Sequence, residues 1–231
     1  MLLRVNLLPR TIDESTDLAV VIDVLRASST ITTALQLGAE KVIPVSNVKQ
    51  ALEERNRNPE VVLVGEREAL KIPGFDLGNS PVELSESFVK GKEVVMTTTN
   101  GTVAALKSRK AKRITVASFL NLESIARHIE REKGRVEIQC AGSDGEPSLE
   151  DTLLAGALVK RLGDVGINDS CWIASFLYES VRIDLKDFIA ENGVHAKKLL
   201  SLGFSEDVSF CAKINLYDLV PLWRNNGFVR G

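Results

Sequence analysis

The sequence predicts an α/β fold: a mostly parallel or mixed central sheet flanked by helices, with a mixed α/β C-terminal portion. Three observations predict it. Short apolar, β-branched runs recur through residues 18–138. Each is followed by polar or glycine-bearing residues and then by a helix-like segment, the alternation that builds parallel sheets. Residues able to do chemistry gather just beyond the runs, where open parallel sheets bind ligands.

Strands are expected at 18–22, 41–45, 61–64, 93–96, 113–116 and 135–138, with residues 1–8 able to add another. Helical patterns lie between them at 29–37, 48–55, 103–107 and 122–132. Beyond Cys140 the pattern turns helical. Leu149, Leu153, Leu154, Ala157 and Leu158 make an apolar face, Ser148 is a natural N-cap, and Gly163 is a natural stop. Further helices are expected at 169–180 and 195–202, and a short strand at 208–211; the tail from Tyr217 to Pro221 is left unassigned. This reading divides the chain into a core at 1–165 carrying the site loops and a portion at 166–231 packed on it.

Bulk properties narrow the classes of function. The chain has 231 residues, 29 basic against 31 acidic, for a net charge of -2. No global field draws it to nucleic acid or anionic lipid, so an anionic ligand must be held by local groups. No apolar run approaches a membrane span, and Arg4 and Asn6 interrupt the N-terminal apolar stretch where a signal peptide would need its core. The 3 cysteines are scattered, with no metal-binding spacing, which fits a reducing cytoplasm. Only 2 histidines are present, which argues against histidine-based zinc chemistry and a Ser-His-Asp triad. The basic run 107–113 ends a helix, where cations complement the dipole, and needs no nucleic acid to explain it. Trp172, Trp223 and Tyr178 are expected in the core.

Four loops carry the candidate chemistry. After the first strong strand come Asp23, Arg26, Ser28, Ser29 and Thr30. Asp23 can hold Mg²⁺ or act as a nucleophile, and Arg26 can clamp a phosphoryl or carboxylate group. The second loop holds Glu66, then Asp76, Asn79 and Ser80 in a long glycine- and proline-bearing segment. Glu66 and Asp76 offer hard oxygens to Mg²⁺, and Asn79 and Ser80 offer donors to an anion. The third is Thr97, Thr98, Thr99, Asn100, Gly101 and Thr102, hydroxyl-rich and lying between a strand and a helix. The fourth, 140–146, contains Cys140, Gly142 and Gly145. Each loop has a plainer reading as helix caps, turns and strand-end ion pairs.

Several named chemistries fail. No GxGxxG turn and no Walker loop is present. Asp23 lacks the second acid of haloacid-dehalogenase phosphatases, because Leu25 stands in its place. A cysteine-phosphatase loop needs an arginine six residues after the cysteine, and Glu146 stands there instead.

Taken together and in order, the segments 21–30, 65–67 with 74–81, 97–102, and 140–142 leading to 149–151 resemble the 2-phosphosulfolactate phosphatases of coenzyme M biosynthesis. The resemblance implies a Mg²⁺-dependent phosphatase that converts (2R)-phospho-3-sulfolactate, or a related 2-phospho-hydroxyacid, to the hydroxyacid and phosphate. Carried over by position, it points to Asp23, Arg26, Glu66, Asp76, Asn79 and residues 97–102 as the site, with the 140–145 loop nearby; Asp23, Arg26, Glu66 and Asp76 are expected to be catalytic, and Mg²⁺ to be held by acids from among Asp23, Glu66 and Asp76. Ser28, Ser29, Thr30, Asn79, Ser80, residues 97–102, Cys140, Gly142 and Gly145 would face the substrate. The attacking group is left as water first and Asp23 second. Oligomeric state is left open, a homo-oligomer included. The rival is a non-catalytic anion sensor on the same scaffold, for which strand-end acids have little use without a metal.

Overall fold

The computed structural model describes residues 1–163, 165 and 168–231, so the division expected at 165–166 falls partly outside it. The chain begins β1 (Leu2–Asn6), β2 (Leu18–Ile22), α1 (Ala27–Gln36), β3 (Lys41–Pro44), α2 (Val48–Arg57), β4 (Val62–Arg67), β5 (Leu70–Lys71). It continues α3 (Glu86–Val89), β6 (Glu93–Thr97), α4 (Gly101–Lys107), β7 (Ile114–Ala117), α5 (Leu122–Glu130) and β8 (Arg135–Cys140). The helices α6 (Leu149–Arg161), α7 (Asp169–Val181), α8 (Leu185–Asn192), α9 (Val194–Ser201) and α10 (Ser205–Cys211) follow, and the hairpin β9 (Pro221–Arg224) and β10 (Gly227–Arg230) closes the chain.

The described residues form a 10-stranded mixed sheet in the order β1-β8-β2-β7-β9-β10-β3-β6-β4-β5. It consists of two parallel halves. β1, β8, β2 and β7 make one; β3, β6 and β4 make the other. The C-terminal hairpin stands between them, β9 antiparallel to β7 and β10 antiparallel to β3. The unassigned tail therefore leads into the strands that join the two halves.

Side-chain alternation explains the layering. Along β2, Leu18, Val20 and Ile22 enter one core, with Phe119, Ile125 and Leu154. Ala19 and Val21 enter the other, with Ile31, Met96 and Phe228. A strand buried on both faces loses the polar positions of an edge strand and becomes a continuous apolar run, which is why β2 was so plain in the sequence. Helix α6 is buried along nearly all its length. A Cβ at Gly156 would lie 2.0 Å from the Ala174 carbonyl oxygen, so only glycine lets α6 and α7 approach so closely.

The strand expected at 208–211 is instead the end of α10. Val208 and Cys211, three residues apart, are both buried, and four residues are too few to separate a helical period from alternation.

Candidate active site

The site begins at the carboxyl ends of β2, β4 and β6. β2 and β6 are far apart in the sheet order, yet their ends meet: a Cβ on Gly101 would lie 2.5 Å from Asp23 Oδ2. Glycine at 101 is therefore a steric requirement of the site. Asp23 Oδ1 accepts from the Ala27 amide at 3.3 Å, and the Gly101 amide also donates to this carboxyl. Burial, then the negative charge of Asp151, raises the Asp23 pKa to about 8; Glu66 adds to the rise.

Asp151 lies behind Asp23, on α6. Its Oδ1 accepts from the Val24 amide at 2.8 Å and its Oδ2 from the Gly142 amide at 3.1 Å. It thus ties the loop after β2 to the loop after β8. Burial and the neighbouring Glu150 raise its pKa to about 7.

Glu66 is anchored through both oxygens, each of which accepts one amide and keeps a second lone pair. Oε1 accepts from the Thr99 amide at 2.7 Å and Oε2 from the Ala69 amide at 2.9 Å, so one carboxylate fixes both the β4–β5 turn and the threonine turn. Arg26 follows the cis Leu25–Arg26 peptide. Its Nη1 donates to Asp207 Oδ2 at 2.5 Å and its Nη2 to the Ala69 carbonyl at 2.7 Å. The Phe204 ring lies 4.3 Å from the guanidinium carbon. Ser80 Oγ in turn donates to Asp207 Oδ1 at 2.6 Å. A guanidinium held on these sides is a preorganised fork.

These groups open onto a cavity of about 250 Å³. Its acids are Asp23, Glu66, Glu68 and Asp144; its cations are Arg26, Arg67 and Lys198, with His195 beside them. Asn79, Thr99, Asn100 and Ser143 add neutral polar groups. Arg67 is oriented through the Glu66 carbonyl at 2.6 Å and Thr97 Oγ1 at 3.1 Å. Burial, then Arg26, lowers the His195 pKa, favouring the neutral ring. Asn79 Oδ1 is buried with no hydrogen-bond partner among the described residues.

The structure thus brings Asp23, Arg26, Glu66, Asn79, Thr99 and Asn100 to one cavity, sets Gly101 against Asp23, and gives the other expected residues other positions or roles. Asp76 accepts from the Leu63 amide at 2.7 Å and pairs with Arg55, so it braces the loop rather than joining Asp23 and Glu66. Ser28 Oγ donates to the Asp23 carbonyl and Ser29 Oγ to the Val24 carbonyl. Thr30 Oγ1 is bonded to the Arg26 and Asn79 carbonyls. These hydroxyls build the first turn of α1 instead of facing the cavity. Thr98 and Thr102 cap α4 through each other's backbone, and Thr97 serves Arg67. Gly101 supplies clearance and an amide. Ser80 acts at one remove, through Asp207. Cys140 is a core residue whose thiol pKa burial pushes well up. Gly142 reaches the site through Asp151, and Gly145 has no non-neighbouring atom within 4 Å of where its Cβ would stand.

Sequence reasoning missed Arg67, His195, Lys198, Phe204 and Asp207. Arg67 adjoins Glu66 and could have been taken with it. His195 and Lys198 are spaced i, i+3, one face of a helix, which was a usable signal. Asp207 in a helix first turn looks like any dipole-complementing acid.

The family model for 2-phosphosulpholactate phosphatase matches residues 4–226. A relative from Thermotoga maritima, named a probable 2-phosphosulfolactate phosphatase, is 46% identical over 211 residues, covering 91% of each chain. Relatives with the same name from Caldanaerobacter subterraneus subsp. tengcongensis and Clostridium acetobutylicum are 43% and 40% identical, covering 91% and 90% of this chain and 89% of their own. The chain is therefore a phosphoric monoester hydrolase. The chain belongs to the 2-phosphosulpholactate phosphatase family.

Proposed function

We propose that this cavity hydrolyses (2R)-phospho-3-sulfolactate, or a close 2-phospho-hydroxyacid, to 3-sulfolactate (or the hydroxyacid) and phosphate, with Mg²⁺ as cofactor. Such a reaction would serve coenzyme M biosynthesis in the cytoplasm. The observation that carries the reading is the convergence of Asp23, Glu66 and the buttressed Arg26 on one cavity in a chain of this family.

The lining suits a hard cation. Asp23, Glu66, Glu68 and Asp144 bring four carboxyl groups to the lining, and a bound divalent cation would favour their ionised forms. The buried, unpartnered Asn79 Oδ1 is a further hard oxygen. Among the described residues no three acidic, histidine or cysteine side chains converge as a complete ligand set. Mg²⁺ seldom needs one: it keeps several waters and uses one or two carboxylates plus substrate phosphate. Asp23 and Glu66 would hold it, with Asn79 in the place expected of Asp76. Bound there, it would neutralise phosphoryl charge and acidify a water.

The chain's own groups do the rest. Arg26 and Arg67 bind and orient the anionic groups, and their rigid mounting lets them stabilise developing charge without reorganising. Glu66 holds the Thr99 amide in place. Water is the preferred attacking group, with ionised Asp23 receiving its proton, and Asp23 itself is the second. Attack by Asp23 itself would form an acyl phosphate, releasing the hydroxyacid and then phosphate on hydrolysis.

Phosphate release is to be measured from sulfolactate- and glycerate-type phosphomonoesters with Mg²⁺ or with EDTA. Release that EDTA abolishes and Mg²⁺ restores is expected. Tight anion binding with no release would return the chain to the sensor reading. Rapid quench with ³²P-labelled substrate separates the two attacking groups: a hydroxylamine-labile protein adduct would replace water with Asp23.

A further inference from the structure

The cavity's cations are not equivalent. Arg26 is committed to Asp207 and the Ala69 carbonyl, and Arg67 to the Glu66 carbonyl and Thr97. Both are planar forks mounted next to Asp23 and Glu66. Lys198 is mounted on a different element, α9, and among the described residues its side-chain ammonium has no hydrogen-bond or ion-pair partner. Its helix is oriented by packing. Ala196 and Leu199 are 0% exposed in the core, which leaves His195 and Lys198, one turn apart, to line the cavity. His195 is held toward its neutral form by burial and by Arg26, so the permanent charge on this wall is Lys198.

We propose that Lys198 is the specificity residue that binds the sulfonate, the substituent that distinguishes 2-phosphosulfolactate from simpler 2-phospho-hydroxyacids. This rests on the phosphatase reading above. The phosphoryl group must lie at Asp23 and Glu66, where the reaction occurs. The carboxylate is attached to the same carbon as the phosphoryl oxygen, so it stays within reach of the two arginine forks. The sulfonate is one carbon further on, and the remaining unpaired cation, on the C-terminal wall, is placed to meet it. A tetrahedral sulfonate with three equivalent oxygens needs no fork, and a mobile ammonium satisfies it as a point charge. The C-terminal helices would then set which 2-phospho-hydroxyacid is accepted, while the strand-end loops run the chemistry.

The test compares 2-phosphosulfolactate with 2-phospholactate, identical except for the sulfonate, in wild type, Lys198→Gln and Lys198→Arg. Lys198→Gln should lower kcat/KM for phosphosulfolactate on the order of 10-fold, mainly through KM, and leave phospholactate nearly unchanged. Lys198→Arg should retain most of the preference. The wild-type preference should shrink as salt is raised, since this lysine is solvent-accessible. An equal loss on both substrates would overturn the proposal, assigning Lys198 to the phosphoryl or carboxylate group; no loss on either would remove it from the site. Calorimetric binding of 3-sulfolactate against lactate to the same proteins gives a readout independent of turnover. If wild type released no phosphate, the phosphatase reading would fail, while sulfonate-selective binding lost in Lys198→Gln would still support the residue's role. Binding without sulfonate selectivity would overturn it.

Discussion

Arg26 shows how one residue can serve both stability and chemistry. It and Asp207 form an ion pair whose side chains are 2% and 1% exposed. Removing the arginine leaves a buried carboxylate without counter-charge, which costs about 3–5 kcal/mol. Arg26→Ala is therefore expected to lower the urea midpoint as well as turnover, and activity alone would not separate the two. The double variant Arg26→Ala with Asp207→Ala should recover much of the stability but stay about 10²–10³-fold below wild type in kcat. Recovery of both would take Arg26 out of the chemistry. Thr98 is the opposite case, a residue whose type suggested anion binding. Its hydroxyl accepts from the Thr102 amide at 3.1 Å, as a cap. Thr98→Val should cost about 1 kcal/mol in thermal or urea unfolding and leave KM nearly unchanged. A large rise in KM at unchanged stability would restore the anion-cradle role.

Among the elements, the closing hairpin is the least predictable from sequence and the most consequential for the sheet. Phe228 on β10 is 0% exposed and meets Trp223 edge-on at 5.0 Å between ring centres. It packs in the same core as Val21 and Met96, one from each half of the sheet, and Ile31 of α1. Phe228→Ala should cost about 3–5 kcal/mol by urea denaturation. A loss under about 1 kcal/mol would mean that the halves hold together without the hairpin, since a fully buried aromatic in a packed core costs more. The parallel strands were legible because each is a local apolar run with its own turn. The hairpin was not, because its strands are only four residues each and its partners, β7 and β3, lie far back in the chain. The same limit governs the site. Asp23, Arg26 and Glu66 stood out because strand ends concentrate them locally. Asp207 is 181 residues from Arg26, and no local pattern links them. The bracing role of Asp76 was not legible because a carboxylate that braces a turn and one that holds a metal are the same residue type in the same kind of loop.

At the scale of the whole molecule, stability should respond to pH from two directions. His128 and His195 have pKa values lowered by burial, so the stability they contribute is present above 6.5 and is lost as pH falls below it. Glu150 works in the opposite sense, and on a clearer structural basis. Its carboxyl is 2% exposed, and its Oε2 has no hydrogen-bond partner among the described residues. Burial, then Asp23, raises its pKa from 4.5 to about 7. The folded protein holds this proton where the unfolded chain has released it, so its contribution is greatest below pH 4.5 and is lost as pH rises to about 7. Glu150→Gln removes the titration at nearly constant volume. In metal-free protein it should therefore raise the unfolding free energy relative to wild type at pH 8, on the order of a few kcal/mol, and change it little at pH 4.5. Urea melts of the two proteins at both pH values test this. A variant equally or less stable at pH 8 would show that Glu150 is ionised and compensated in the fold, with a hydrogen-bond or cation partner at its buried oxygen.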